Sequence, residues 1–192
     1  MNKLIKIYDN LLHPDVMNQI ESFSLSNNFP WYYQFNISAP NSPKSLPGLS
    51  HFFIKQSSPP HSKNEYTFFY LNILYALANK IGINVEEIHN GRLFMHLPNP
   101  NPGPNMIHTD VSDERGTIPH LVCLYYVTDS DGDTILYEDD EKTELQRVSP
   151  KKGRVAFFDG SIPHCSSTPS KNTRVIVNFD FGGTFFGEEK KN

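Results

Sequence analysis

The hydrophobic pattern divides the chain into two unlike parts. Before residue 88, apolar residues fall at helical spacing or thin out into loop. From Ile88 onward they recur in short alternating runs broken by turns. Leu4–Tyr8 alternates apolar residues with lysines and reads as a short strand. His13-Pro14-Asp15 opens a helix with Val16, Met17, Ile20 and Phe23 at helical spacing. Residues 26–64 carry Pro30, Pro40, Pro43, Pro47, Pro59 and Pro60 amid Ser and Asn, with short strands expected at Trp31–Ile37 and His51–Ile54. A long loop of this kind is either a plain connection or a lid over a substrate site. Glu65–Ile81 is the strongest helix, stopped by Gly82, and Phe68, Phe69, Leu71, Ile73, Leu74, Leu77 and Ala78 give it a broad apolar face suited to a sheet.

Beyond it, strands are expected near Ile88–Leu97, Met106–Asp110, His120–Thr128, Thr134–Tyr137, Gln146–Val148, Arg154–Phe158 and Thr173–Phe181. They are separated by Asn99-Pro-Asn-Pro-Gly-Pro104, Asp129-Ser-Asp-Gly132, Pro150-Lys-Lys-Gly153 and Asp159-Gly160. Many short strands spaced by turns indicate a sandwich or barrel. The expected fold class is mainly β with flanking helices. The 192 residues read as a single domain, 1–87 forming a helical and lid support region and 88–183 the β core.

Composition adds boundaries. At 38% hydrophobic and 20% charged residues the chain is globular rather than disordered, and 14 Phe and 9 Tyr favour strands around a pocketed core. A net charge of -4 leaves no electrostatic footprint for nucleic acid. No apolar run approaches the ~20 residues of a membrane span. Met1-Asn-Lys-Leu-Ile-Lys-Ile-Tyr8 is too polar for a signal peptide. Cys123 and Cys165 make no disulfide framework, so a reduced, cytoplasmic protein is the default.

The candidate chemistry is His108-Thr-Asp110 with a distant His164 and, ten residues on, Arg174. His-x-Asp is nearly expected by chance. On a strand, however, His108 and Asp110 share a face while Thr109 points away, and His164 follows another strand that a barrel would bring opposite. Two imidazoles and one carboxylate are the facial triad that holds non-heme Fe(II) with open positions. A permanently charged guanidinium just behind the third ligand suits a dicarboxylate cosubstrate. Alternation puts Ile176, Asn178 and Asp180 on the face of Arg174, which makes Asn178 a candidate lining residue. His13, His51, His61, His89, His96 and His120 read as ordinary hydrogen-bonded histidines.

From His108 to Asp180 the chain resembles the Fe(II)- and 2-oxoglutarate-dependent dioxygenases, in particular their prolyl-4-hydroxylase-like branch. The elements that carry the resemblance, in order, are His108-Thr-Asp110, Cys123-Leu-Tyr-Tyr126, Asp131-Gly-Asp-Thr134, Pro150-Lys-Lys-Gly-Arg-Val-Ala-Phe-Phe158, His164 and Arg174. Arg92, in Gly-Arg-Leu-Phe, resembles phage-encoded members. Two features depart from the pattern. One glycine of the usual Gly-Gly-x-Thr hairpin is missing, and the tyrosine often found before His-x-Asp is replaced by the region of His96.

The resemblance implies a double-stranded β-helix, a jelly-roll barrel packed against the N-terminal helices. It implies iron ligands His108, Asp110 and His164, with Arg174 on the distal carboxylate of 2-oxoglutarate, assisted by Tyr126. Leu124 would line the pocket and Tyr125 would face away. The implied cofactors are Fe(II), 2-oxoglutarate and O2, with ascorbate as an accessory reductant. The implied reaction is hydroxylation of a C–H bond, with release of succinate and CO2. Halogenating relatives lack the carboxylate that Asp110 provides. Nucleobase-repair relatives carry a second Arg, which Val175 to Gly183 does not contain. The expected substrate is a protein or peptide, with Trp31-Tyr32-Tyr33 as either a peptide groove or core aromatics. The alternatives are a small-molecule or free amino-acid hydroxylase and, from another class, a non-catalytic metal-binding barrel.

Overall fold

The computed structural model describes residues 4–37, 46–55, 65–113 and 116–186; the remainder of the Pro-rich segment 38–64 lies outside them. Strand β1 (Ile5–Tyr8) leads to α1 (Pro14–Ser24), whose start is set by His13 accepting from the Asp15 backbone N–H and by Pro14 in the first turn. Then come β2 (Tyr32–Gln34), β3 (Gly48–Lys55) and α2 (Glu65–Ile81). Gly82 ends α2 at φ 79°, a left-handed turn that costs a glycine little. β4 (Ile83–His96) follows directly, longer than the pattern foretold. The short hairpin β5 (Ser112–Asp113) and β6 (Gly116–Thr117) precedes β7 (Leu121–Tyr126), β8 (Thr134–Tyr137), β9 (Glu144–Val148), β10 (Val155–Asp159), β11 (His164–Ser166) and β12 (Arg174–Phe185).

Seven strands make one sheet in the order β1-β10-β7-β12-β4-β3-β2, and β11-β8-β9 make a second. Their pairings are antiparallel throughout. The two sheets face each other across Val122, Leu124, Tyr126, Leu136, Val148, Phe158 and Ile176. This is the barrel of two facing sheets that the sequence predicts. The other face of the large sheet, with Leu93, Tyr125, Phe157, Val175, Val177, Phe179 and Phe181, packs against Tyr70, Leu74 and Leu77 of α2. Burying each of those leucines contributes about 1.5–3 kcal/mol. Val16 and Phe68, expected on the apolar helix faces, are exposed instead, because their helical phase turns them away from the sheet. Among the described residues no helix is long and apolar enough to cross a membrane.

Met106–Asp110 departs from its predicted strand. Only His108 pairs, exchanging backbone hydrogen bonds of 3.0 and 2.9 Å with His164. Pro100, Pro102 and Pro104 just upstream lack the N–H groups that a longer ladder needs. Trp31 packs against Phe29 and donates its indole N–H to Ser24, whereas Tyr32 and Tyr33 are exposed.

Strand parity sets the inner wall of the barrel. β12 turns Arg174, Ile176, Asn178 and Asp180 inward, and the ladder places His96, Phe94, Arg92 and Asn90 of β4 directly beside them.

Candidate metal centre and cosubstrate cavity

A single bridge between His108 and His164 brings the two imidazoles together, ring centroids 4.8 Å apart and planes tilted by 49°. Asp110, two residues on, turns back between them. Its carboxylate lies 3.2 Å from His164 Nε2 and 3.7 Å from His108 Nε2. One donor atom from each residue falls within 4.8 Å of the others, a cluster fit to hold a metal ion.

The tautomers are set by the backbone. His108 Nδ1 lies 3.0 Å from the Met106 carbonyl and His164 Nδ1 3.0 Å from the Ile162 carbonyl. A carbonyl only accepts, so each Nδ1 carries the hydrogen and each Nε2 is left as the free donor pair aimed at the cluster. Burial and the neighbouring His164 hold His108 below the ordinary histidine range. Burial also opposes a proton on His164, but attraction to Asp110 outweighs it and raises this pKa. For Asp110, burial opposes ionisation; the Arg92 guanidinium and the two imidazoles reverse that and hold its carboxyl well below the usual range.

Behind the cluster is a polar network read only faintly in the sequence. Arg92 Nη2 donates to Asp110 and lies 3.6 Å from Asp180. Asn178 donates to Asp110 at 3.3 Å, and Asn90 to Asp180 at 3.1 Å. Burial and the proximity of Asp110 push the Asp180 carboxyl up to about 7. Asn178 thus lines the cavity as expected, but its amide is committed to Asp110. The alternation of Asn90, Arg92, Phe94 and His96 along β4 is the signal that could have exposed this wall.

These residues surround a cavity of about 530 Å³, which reaches from Lys55 and Phe52 past the triad to Thr134, His96 and Arg174. Leu124 and Thr109 also line it. Thr109, expected to point away, joins the wall because its segment is not a regular strand, and its hydroxyl meets that of Thr117 at 3.1 Å. Arg174 is only 2% exposed, and Nη2 donates to Thr134 Oγ1 at 2.8 Å. Among the described residues no carboxylate pairs with it, and its Nε has no partner. Burial lowers its pKa accordingly. The Tyr126 hydroxyl also donates to Thr134, at 2.7 Å. Tyr126 is not in the cavity wall; it braces the Arg174 end, with its ring 5.8 Å from the guanidinium and its hydroxyl on Thr134. Tyr125 faces the helices, as expected.

No family model matches this sequence, and no curated protein sequence matches it. Solved structures do. A 2OG-Fe(II) oxygenase family oxidoreductase from Burkholderia pseudomallei aligns at TM-score 0.70 and 11% identity, over 94% of this chain and 84% of its own. A prolyl hydroxylase from Trichoplax adhaerens, in complex with a hypoxia inducible factor peptide fragment, aligns at TM-score 0.60 and 13% identity, over 92% and 82%. The viral collagen prolyl hydroxylase of Paramecium Bursaria Chlorella virus-1, in its 2OG complex, aligns at TM-score 0.55 and 14% identity, over 94% and 96%. Identities this low establish shared architecture: the chain has the double-stranded β-helix fold of the 2OG-Fe(II) oxygenases.

Proposed function

We propose that this protein is an Fe(II)- and 2-oxoglutarate-dependent dioxygenase that hydroxylates a C–H bond in a peptide or protein. The observation that carries the reading is one cavity with a two-imidazole, one-carboxylate cluster in its wall and, at one end, a buried guanidinium that no carboxylate among the described residues pairs with. A buried cation without a counter-ion is costly unless an anion arrives to pair with it.

The residues fit the implied groups. His108, Asp110 and His164 would hold Fe(II) on one face, and Arg174 with Thr134 would take the distal carboxylate of 2-oxoglutarate. When bound, iron, 2-oxoglutarate and O2 supply oxidative decarboxylation to succinate and CO2 and the oxidising power for hydroxylation. The chain supplies position and charge. The backbone carbonyls of Met106 and Ile162 keep both Nε2 atoms free, Arg92 and Asn178 fix Asp110, and Leu124 and Ile176 keep the wall apolar. A peptide substrate is supported by the peptide seen in the Trichoplax structure and by the exposed Tyr32, Tyr33 and Phe35 on and beside β2. We read residues 1–192 as one domain, because β1 closes the sheet against β10. Free buried cysteines accord with a reducing compartment.

Purified protein given Fe(II), ascorbate and 2-oxoglutarate is expected to form succinate, faster once a peptide pool contains the substrate. The product peptide then gains the mass of one oxygen. His108→Ala abolishes both signals. Succinate formation unchanged in His108→Ala would overturn the assignment, and a mass gain confined to small metabolites would replace the peptide reading with a small-molecule one.

A further inference from the structure

His96 differs from four other histidines of the fold. His51, His108, His120 and His164 each set Nδ1 against a backbone carbonyl, of Pro30, Met106, Ile118 and Ile162 respectively. His96 is buried, at 7% exposure, yet its Nδ1 has no partner among the described residues. His89 shares that lack but is not in the cavity wall.

Position gives the difference meaning. His96 is the ladder partner of Arg174, so both side chains leave adjacent strands on the same side and both line the cavity. The His96 ring also borders a smaller cavity of about 170 Å³, walled by Leu46, Leu49, Leu97 and Thr168. It thus stands in a partition, where one side is the Arg174 end. Burial and the charge of Arg174 push its pKa down to about 3, so at neutral pH the imidazole holds one N–H and one lone pair. A carboxylate gripped by a guanidinium still has lone pairs to fill. The Thr134 hydroxyl already accepts from both Tyr126 and Arg174. Its own hydrogen is one further donor, and the neutral imidazole of His96, on the ladder partner of Arg174, is another in the same wall.

We infer that His96 is a second anchor for the distal carboxylate of the cosubstrate, donating one N–H beside the guanidinium of Arg174. The inference rests on the 2-oxoglutarate reading above and names a residue that reading does not use. His96 would raise affinity for a 2-oxo diacid while leaving the grip on the 2-oxo acid group itself unchanged.

The test is calorimetric binding to the Zn(II)-loaded protein, which is redox-silent. His96→Phe keeps the partition but removes the N–H; His96→Gln restores an N–H. The expected result is a loss of ~5–30-fold in 2-oxoglutarate affinity for His96→Phe, recovered in large part by His96→Gln. Pyruvate, which lacks the distal carboxylate, binds both variants and the parent alike. In the parent, the His96 ring ¹⁵N signals move on adding 2-oxoglutarate. Unchanged 2-oxoglutarate affinity in His96→Phe, or an equal loss for pyruvate, overturns the inference and leaves His96 a wall residue. Failure of the parent itself to bind 2-oxoglutarate overturns the cosubstrate reading instead. Zn(II) affinity and the unfolding midpoint, read on the same samples, separate either result from misfolding.

Discussion

Two arginines reach one cavity from neighbouring antiparallel strands, and they are in opposite electrostatic condition. Arg92 lies against two carboxylates, Asp110 and Asp180. Burial alone would weaken its charge, but those carboxylates outweigh burial and raise its pKa. Arg174 meets Thr134 and Tyr126, forms no ion pair with a carboxylate among the described residues, and has its pKa lowered by burial despite the more distant Asp133. The same side chain thus does two jobs. A satisfied guanidinium fixes the carboxylate beside it. One without a carboxylate, held by Thr134 and Tyr126, has the charge and geometry to take up an anion. A buried charge should be interpreted from its partners rather than from its residue type.

The largest expected effect falls on the satisfied arginine. Arg92→Met leaves Asp110 and Asp180 buried without their counter-charge, and breaking a buried ion pair costs about 3–5 kcal/mol. The unfolding midpoint should drop sharply, and metal affinity with it, because Asp110 loses its orientation. An unchanged midpoint would mean that the pairs contribute nothing.

Arg174→Met should behave the other way. It removes a buried charge that has no ion-pair partner among the described residues, so stability in the absence of ligand holds or rises. Metal binding survives, while 2-oxoglutarate affinity falls by on the order of 100-fold, the loss of a charged bidentate contact. A midpoint that falls as far as in Arg92→Met would erase the contrast between the two residues.

The smallest effect is on pH dependence. Asp180 has its folded pKa raised, so its stabilising contribution is full below the unfolded carboxylate range and is lost as pH rises through about 7. Asp110 has its folded pKa depressed, so its contribution is present above the ordinary range and is lost only as pH falls below it. Between pH 4 and 7 the metal-free parent should therefore lose stability through Asp180, while Asp180→Asn removes that slope. Chemical denaturation across this window measures both, and an identical slope in the variant contradicts the assignment.

Hydrophobic periodicity, of period two in the strands and helical in α2, foretold much of this arrangement. It placed Arg174, Asn178 and Asp180 on one face of β12, put Leu124 and Tyr125 on opposite faces of β7, and marked the spans of α2 and β8 almost to the residue. What it missed was decided by tertiary contact. β11 is three residues long, too short to show a period, and the His108 segment is held by one bridge rather than a ladder. Arg92 and His96 were visible as residues but not as a wall, because β4 acquires its functional face only when β12 lies beside it. Tyr126 was placed on the correct face and at the correct end. That its hydroxyl would be taken by Thr134 depends on how the two sheets stack.

β12 lies at the centre of the seven-stranded sheet, between β7 and β4, yet among the described residues it comes after every other strand of that sheet in chain order. During synthesis its neighbours emerge first and must wait with unpaired edges until the region around Arg174–Phe185 leaves the ribosome. Arg174, Asn178 and Asp180 arrive with it. A nascent chain can present His108, Asp110 and His164, but it lacks the Asn178 brace on Asp110 and the Arg174 anchor until the final strand is inserted. Assembly order alone would therefore leave the cluster and its cavity incomplete until β12 is in place.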